Sequence, residues 1–163
     1  MLFQTWGRAL NSSLHGPKQA LVNMKKRTIL LIEDDELDII SFQRALTKLD
    51  AEYDLLIAYN GREALSMLTD KENLVEPDVI LLDLNMPKMN GLEFLTAIRQ
   101  EERLVNTKIF IMTTSGEVND RSRAEHLGIS GYFIKPLGYT DNNKRPDSMD
   151  SFVQFHLRRI LSS

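Results

Sequence analysis

The sequence contains no cysteine among its 163 residues, which excludes disulfides, thiolate metal sites and thiol nucleophiles. No apolar run approaches the roughly 20 residues that a membrane-spanning helix needs. The net charge of -3 gives no general indication of nucleic-acid binding. With 42% hydrophobic and 26% charged residues, the chain has the composition of one ordinary globular domain, and we expect a cytoplasmic protein.

Acidic residues are absent from the first 32 residues, although five basic residues lie there. The segment lacks the apolar stretch of a secretory signal and shows no helical or strand period. We therefore interpret residues 1–24 as a basic arm, either disordered or an upstream extension of a domain that starts near Met24. Residues 25–163 then form the domain itself.

Strand and helix patterns alternate from Thr28 onward. Five short apolar runs predict strands at 28–32, 53–58, 79–82, 108–112 and 132–134. Apolar residues at helical spacing predict helices at 36–49, near 64–68 after an Asn60-Gly61 turn, at 92–98, at 117–127 and at 147–161. Such alternation predicts an α/β fold, a doubly wound parallel sheet with helices on both faces.

Polar residues follow several of these strands at the point where each strand ends. Glu33 and Asp34 follow the first, Asp83 the third, Thr113 the fourth and Lys135 the fifth. The carboxyl ends of parallel strands line the ligand crevice of such a sheet, so these side chains should converge. Crowded carboxylates suit Mg²⁺, and a lysine opposite them suits a phosphoryl group.

Each of these residues also has a purely structural interpretation. Glu33, Asp34 and especially Asp35 would be stabilised as acids at a helix N-terminus. Thr113 would serve as a helix cap, and Lys135 as a solvated loop lysine. Asp83 is harder to explain in this way, because an unpaired buried carboxylate is costly.

Taken together, these motifs resemble the receiver domain of two-component response regulators. The resemblance covers roughly residues 26–161 and depends on four stretches in order: Ile29–Asp35, Leu81–Gly91, Met112–Ser115 and Gly131–Pro136. It implies five parallel strands in the flavodoxin-like order 2-1-3-4-5. More narrowly, the run 84–88 and the Thr-Thr-Ser triplet look like the single-domain receivers paired with bacterial phytochrome kinases.

The resemblance also implies a role for each site residue. Asp83 is the phosphoacceptor, Lys135 supplies a positive charge and Thr113 offers a hydroxyl to a phosphoryl oxygen. The implied magnesium ligands are Asp34 directly, Glu33 through water, Asp83 itself and the backbone carbonyl of Asn85. Thr113 and Tyr132 are the implied switch residues, and the Lys135-Pro136 bond is expected to be cis.

The function expected from this resemblance is signalling by a stand-alone receiver, a phosphoacceptor with at most slow self-dephosphorylation. Its implied partners are a sensor histidine kinase and, through a face made of helix 4, strand 5 and helix 5, a second copy of the chain. No nucleic-acid or membrane partner is expected.

Three rival interpretations remain open. An aspartate-nucleophile phosphatase needs a general acid two residues after the nucleophile, and this chain has Asn85 there. A phosphate-independent adaptor would not need the acids, Thr113 and Lys135. A flavin carrier would need a Ser-, Thr- or Gly-rich loop after the first strand, where Glu33 and Asp34 stand instead.

Overall fold

The structure is a computed structural model that describes residues 26–114, 116–135 and 148–162. The predicted basic arm at 1–24, Ser115 and residues 136–147, with Pro136 among them, lie outside these ranges. The predictions that depend on them, including the cis Lys135-Pro136 bond, are therefore still predictions.

Five parallel strands form one sheet in the order β2-β1-β3-β4-β5, as the family resemblance implied. The strands are β1 (Arg27–Ile32), β2 (Tyr53–Ala58), β3 (Val79–Leu82), β4 (Lys108–Thr113) and β5 (Gly131–Ile134). All four residues of β3 are buried, which is typical of a central strand that helices cover on both faces.

The helices connect successive strands and fall into two layers. They are α1 (Glu36–Leu46), α2 (Gly61–Thr69), α3 (Gly91–Ile98), α4 (Val118–His126), α5 (Ser148–Phe152) and α6 (Arg158–Leu161), with a 3₁₀ turn at Glu102–Leu104. One hydrophobic core lies between one face of the sheet and helices α2, α3 and α4. The other core lies between the opposite face and two helices, α1 and the C-terminal helix that contains α5 and α6. The predicted doubly wound α/β class is confirmed.

Side-chain caps determine where three of the helices begin. Asp35 caps α1 by accepting hydrogen bonds from the backbone N–H groups of Leu37 and Asp38. Asn60 caps α2, and Asn90 caps α3 within a reciprocal capping box. The predicted Asn60-Gly61 turn is therefore wrong. The side-chain oxygen of Asn60 accepts a hydrogen bond from the backbone N–H of Glu63, and α2 begins at Gly61.

The first helix ends earlier than its apolar period predicted. It stops at Leu46, because the backbone N–H groups of Lys48 and Leu49 bond three residues back, to Ala45 and Leu46, in a tightened last turn. Leu49 nevertheless packs against the core beside α1. The apolar pattern thus predicted correctly that Leu49 packs against the core, but it did not predict the end of the helix.

The C-terminal helix is predicted as one regular element but contains an irregular centre. A π-helical segment, Val153–Leu157, joins α5 to α6. Met149, Phe152, Val153, Leu157 and Ile160 are all buried, as the pattern predicted. The apolar stripe therefore survives the change in helical geometry.

Within the ranges that the structure describes, no helix has both the length and the apolar character to cross a membrane.

The backbone of Gly91 lies very close to the backbone of Asp83 and Leu84, and a substitution at Gly91 tests this contact. A Cβ at Gly91 would lie 2.3 Å from the carbonyl oxygen of Asp83 and 2.8 Å from Leu84 Cα. We expect Gly91→Ala to lower the free energy of unfolding in urea by roughly 1–3 kcal/mol, because main-chain atoms must shift.

Gly116→Ala is the matched control, since its Cβ would meet Ile134 Cδ1 at an ordinary 3.7 Å. Equal stability of the Gly91 and Gly116 variants would contradict the clash.

Candidate functional site: an acidic pocket with a buried lysine

The sheet register brings the first and third strand ends together. Ile32, the last residue of β1, pairs with Leu82, the last residue of β3. The backbone N–H of Asp83 then donates to the carbonyl of Ile32 at 3.0 Å, so the strand pairing continues into the pocket. Glu33 and Asp83 consequently leave adjacent strands side by side.

Three carboxylates meet at this edge of the sheet. Glu33, Asp34 and Asp83 each offer an oxygen within 4.8 Å of the others. Glu33 and Asp83 are 3% and 6% exposed, whereas Asp34 faces solvent. Mg²⁺ prefers oxygen ligands and usually keeps several waters, so this cluster of carboxylates supplies a suitable set of donors for it. The residues present therefore fit the metal that the family implies.

Lys135 reaches this pocket from the end of β5. Its Nζ donates to Glu33 Oε2 at 2.6 Å and to Asp38 Oδ2 at 2.7 Å, and lies 3.8 Å from Asp83 Oδ2. The side chain is only 6% exposed. The interpretation of Lys135 as a solvated loop lysine is thus excluded.

The burial of this cluster changes the proton affinities of its members. Burial raises the pKa of Glu33 to about 7, against the opposing hydrogen bond and charge of Lys135, and the Asp83 charge adds to the rise. Burial lowers the pKa of Lys135, but its hydrogen bonds to Asp38 and Glu33 and the nearby Asp83 outweigh this, so the net direction is upward. A cation that binds ionised carboxylates therefore competes with a proton at Glu33 near neutral pH.

The remaining predicted site residues lie around the same edge. Thr113 is fully buried at the end of β4, and its carbonyl accepts the backbone N–H of Lys135 at 2.8 Å. The exposed Asn85 donates from Nδ2 to Thr113 Oγ1 at 3.4 Å. Tyr132, on β5, is half-buried, with the guanidinium of Arg121 5.6 Å from its ring centroid.

Asp38, which contacts Lys135 directly, was not predicted as a site residue. It lies in the first turn of α1, the helix that begins just after Glu33 and Asp34. An acid in the helix that leaves the pocket was the available signal. Asp35 lies at the N-terminus of α1, as the structural interpretation predicted, and its side-chain oxygen caps the helix.

Comparison with known proteins identifies the family. The family model described as the response regulator receiver domain matches residues 29–144. Response regulator Rcp1 of Synechocystis sp. is 32% identical over 129 residues, which cover 77% of this chain and 88% of Rcp1. The transcriptional regulatory protein CpxR of Escherichia coli is 33% identical over 67% of this chain, which spans only 43% of CpxR.

Solved structures agree with this assignment. The Mn²⁺-bound form of Rcp1 superposes with a TM-score of 0.71 at 30% identity, covering 79% of this chain and 93% of that one. The phosphorylated cyanobacterial phytochrome response regulator RcpA gives a TM-score of 0.70 at 28% identity, covering 82% and 96%. The chain belongs to the response regulator receiver domain family of two-component signalling, and phytochrome-associated regulators are among its near relatives.

The three neighbouring carboxylates repel one another, so we expect the removal of one negative charge to stabilise the fold. Asp83→Asn should raise the free energy of unfolding at pH 8 with a metal chelator present by roughly 1 kcal/mol or more, because it removes one of several neighbouring negative charges. The new side chain keeps an oxygen for the Leu84 N–H that Asp83 Oδ1 accepts at 2.8 Å.

Asp54→Asn is the control, since it removes the same charge from an exposed pair with Lys26. A drop in stability for Asp83→Asn would show that its carboxylate stabilises the fold.

Proposed function

We propose that this chain is a phosphoacceptor in a two-component phosphorelay and receives a phosphoryl group from a sensor histidine kinase on Asp83. The supporting observation is the environment of the Asp83 carboxylate. It is 6% exposed, shares a cluster with Glu33 and Asp34, and lies 3.8 Å from Lys135 Nζ. A carboxylate so placed is shielded from water yet adjacent to the positive charge that a phosphoryl donor requires.

The transfer is an in-line displacement at phosphorus. A carboxylate oxygen of Asp83 forms the new P–O bond while the bond to the donor nitrogen breaks and its electron pair stays on the imidazole of the kinase. Lys135 and the hydroxyl of Thr113 are proposed to contact the phosphoryl oxygens. Asp34, Asp83, the carbonyl of Asn85 and, through water, Glu33 would hold a Mg²⁺, which would supply further neutralisation of charge.

Two relatives support these assignments by what has been observed in them. Rcp1 has been crystallised with Mn²⁺, a divalent cation that prefers oxygen ligands as Mg²⁺ does, and RcpA has been crystallised in a phosphorylated state. The phosphatase alternative is weaker because Asn85, two residues after the nucleophile, cannot act as the general acid. The alternative of a phosphate-independent adaptor is weaker because it does not explain why Lys135 is buried among carboxylates.

Phosphorylation of Asp83 can be tested directly. Incubation of the protein with acetyl phosphate and Mg²⁺ should add one phosphoryl group by intact mass, and Asp83→Asn should abolish the addition because the nucleophile is lost. Asp54→Asn, on a different part of the surface, should label as the wild type does. Labelling that persists in Asp83→Asn would contradict the assignment.

The output surface is proposed to be the face formed by α4, β5 and the C-terminal helix. Three of its apolar side chains are exposed: Val118 by 81%, Ile134 by 53% and Phe155 by 76%. Within the described chain, Ala124 is the one buried residue of α4, so a movement of this helix would disturb little packing. The proposed occupant of this face is a second copy of the chain or another signalling protein.

The two ends of α4 are held differently. Arg99 donates from Nε to the carbonyl of Leu127 at 2.9 Å and from a terminal nitrogen to that of Gly128 at 2.8 Å, and also reaches the loop before β4. Its guanidinium therefore ties the C-terminal end of α4 to α3. The opposite end begins at Val118, a few residues after Thr113 and Thr114, so a change at the phosphoryl site should reach it first.

Hydrogen exchange should show this asymmetry. With acetyl phosphate present, we expect changed exchange in residues 116–122 and in β5, and smaller changes in residues 124–128, because Arg99 anchors that end. Asp83→Asn under the same conditions is the control. Changes confined to residues 36–69 would place the output on the opposite side of the molecule.

A further inference from the structure

Lys135 contacts a carboxylate that belongs to none of the proposed metal ligands. Its Nζ lies 2.7 Å from Asp38 Oδ2, on α1, as well as 2.6 Å from Glu33 Oε2, at the end of β1. The pair connects residues 97 positions apart in the sequence. Lys135 is 6% exposed and Asp38 35%, so one partner is buried and the other half-buried.

The position of Asp38 is fixed by the start of its helix. Asp35 Oδ1 accepts the backbone N–H groups of Leu37 at 2.8 Å and Asp38 at 3.1 Å, which sets the first turn of α1. A short side chain on a capped turn offers its oxygen from a well-defined place. Asp38 therefore fixes the position of Lys135 from the α1 side.

Among the described residues, two carboxylates accept hydrogen bonds from the ammonium group of Lys135, which leaves one of its donors available. Lysine has three N–H donors, and Glu33 and Asp38 each take one at short distance. The separation of 3.8 Å between Nζ and Asp83 Oδ2 exceeds hydrogen-bond distance. The ammonium group thus lies close to Asp83 without a direct hydrogen bond to it, and an oxygen of a phosphoryl group on Asp83 would be within reach of the third donor.

We propose that Asp38 is a positioning residue for phosphoryl transfer, which acts by holding the ammonium group of Lys135 where its third donor meets a phosphoryl oxygen on Asp83. This inference rests on the proposed function. A positioning role differs from a role in fold stability, because Asp38 then affects the rate of phosphoryl transfer only by orienting Lys135. It also differs from a competing role, in which Asp38 would hold Lys135 away from the phosphoryl group.

The test measures the second-order rate constant for labelling by acetyl phosphate with Mg²⁺, followed by intact mass. Asp38→Ala should label about tenfold more slowly than the wild type, because a charge-assisted hydrogen bond that orients Lys135 is lost. Asp38→Asn should be similarly slow, since an amide carries no charge, whereas Asp38→Glu should recover most of the rate. Asp54→Asn, which breaks an exposed aspartate–lysine pair, should label normally.

A double-mutant cycle separates positioning from a general structural effect. In a Lys135→Ala background, Asp38→Ala should change the rate by less than about twofold, because the residue through which it acts is gone. Thermal unfolding of each variant verifies that it is folded. If Lys135→Ala labels too slowly to compare, the contrast between Asp38→Asn and Asp38→Glu decides.

Each outcome bears on one conclusion only. An unchanged or faster rate in Asp38→Ala, or an equal fall in both backgrounds, would overturn the positioning role. A wild-type protein that takes up no phosphoryl group would instead overturn the proposed function.

Discussion

The buried ammonium group of Lys135 is the interaction on which the arrangement of the pocket depends. A lysine withdrawn from water costs several kcal/mol unless anions surround it. Here Glu33 and Asp38 bond to it and Asp83 lies nearby, so β1, α1, β3 and β5 all contribute to one cluster. Lys135 in turn stabilises the carboxylates, because without its positive charge their mutual repulsion would push the strand ends apart.

Much of the fold and of the candidate site could be predicted from the sequence. Apolar runs located all five strands to within about a residue, and the polar residues that follow them meet in space because parallel strands end on one edge. The strand order came from the family resemblance, since no local pattern specifies which strands are neighbours. Glu33, Asp34, Asp83 and Lys135 were therefore found as a group by combining strand prediction with this rule.

The errors arose where side-chain hydrogen bonds or tertiary contacts decide the structure. Asn60 was interpreted as a turn residue, although its amide caps α2. Asp38 was overlooked because an acid in a first helical turn is usually explained by the helix dipole, and its partner stands 97 residues away. The π-helical segment at Val153–Leu157 leaves the apolar spacing intact, so the pattern could not reveal it.

The pocket buries several carboxylates together, which disfavours the folded state, but the same carboxylates form the proposed phosphoryl site. Burial raises the pKa of Glu33 to about 7 in spite of Lys135, and the charge of Asp83 adds to the rise, so the pocket disfavours the ionised carboxylate that it holds. Such unfavourable electrostatics are retained where a ligand or a chemical group relieves them. A phosphoryl group would add negative charge, so any relief would come through Lys135, the hydroxyl of Thr113 and a bound cation. Because Thr113 ends β4, its proposed adjustment would act first on the segment that leads into α4. Arg99 holds the far end of that helix, so in the proposed mechanism the N-terminal end of α4 would move and convert a charge at Asp83 into a change of surface.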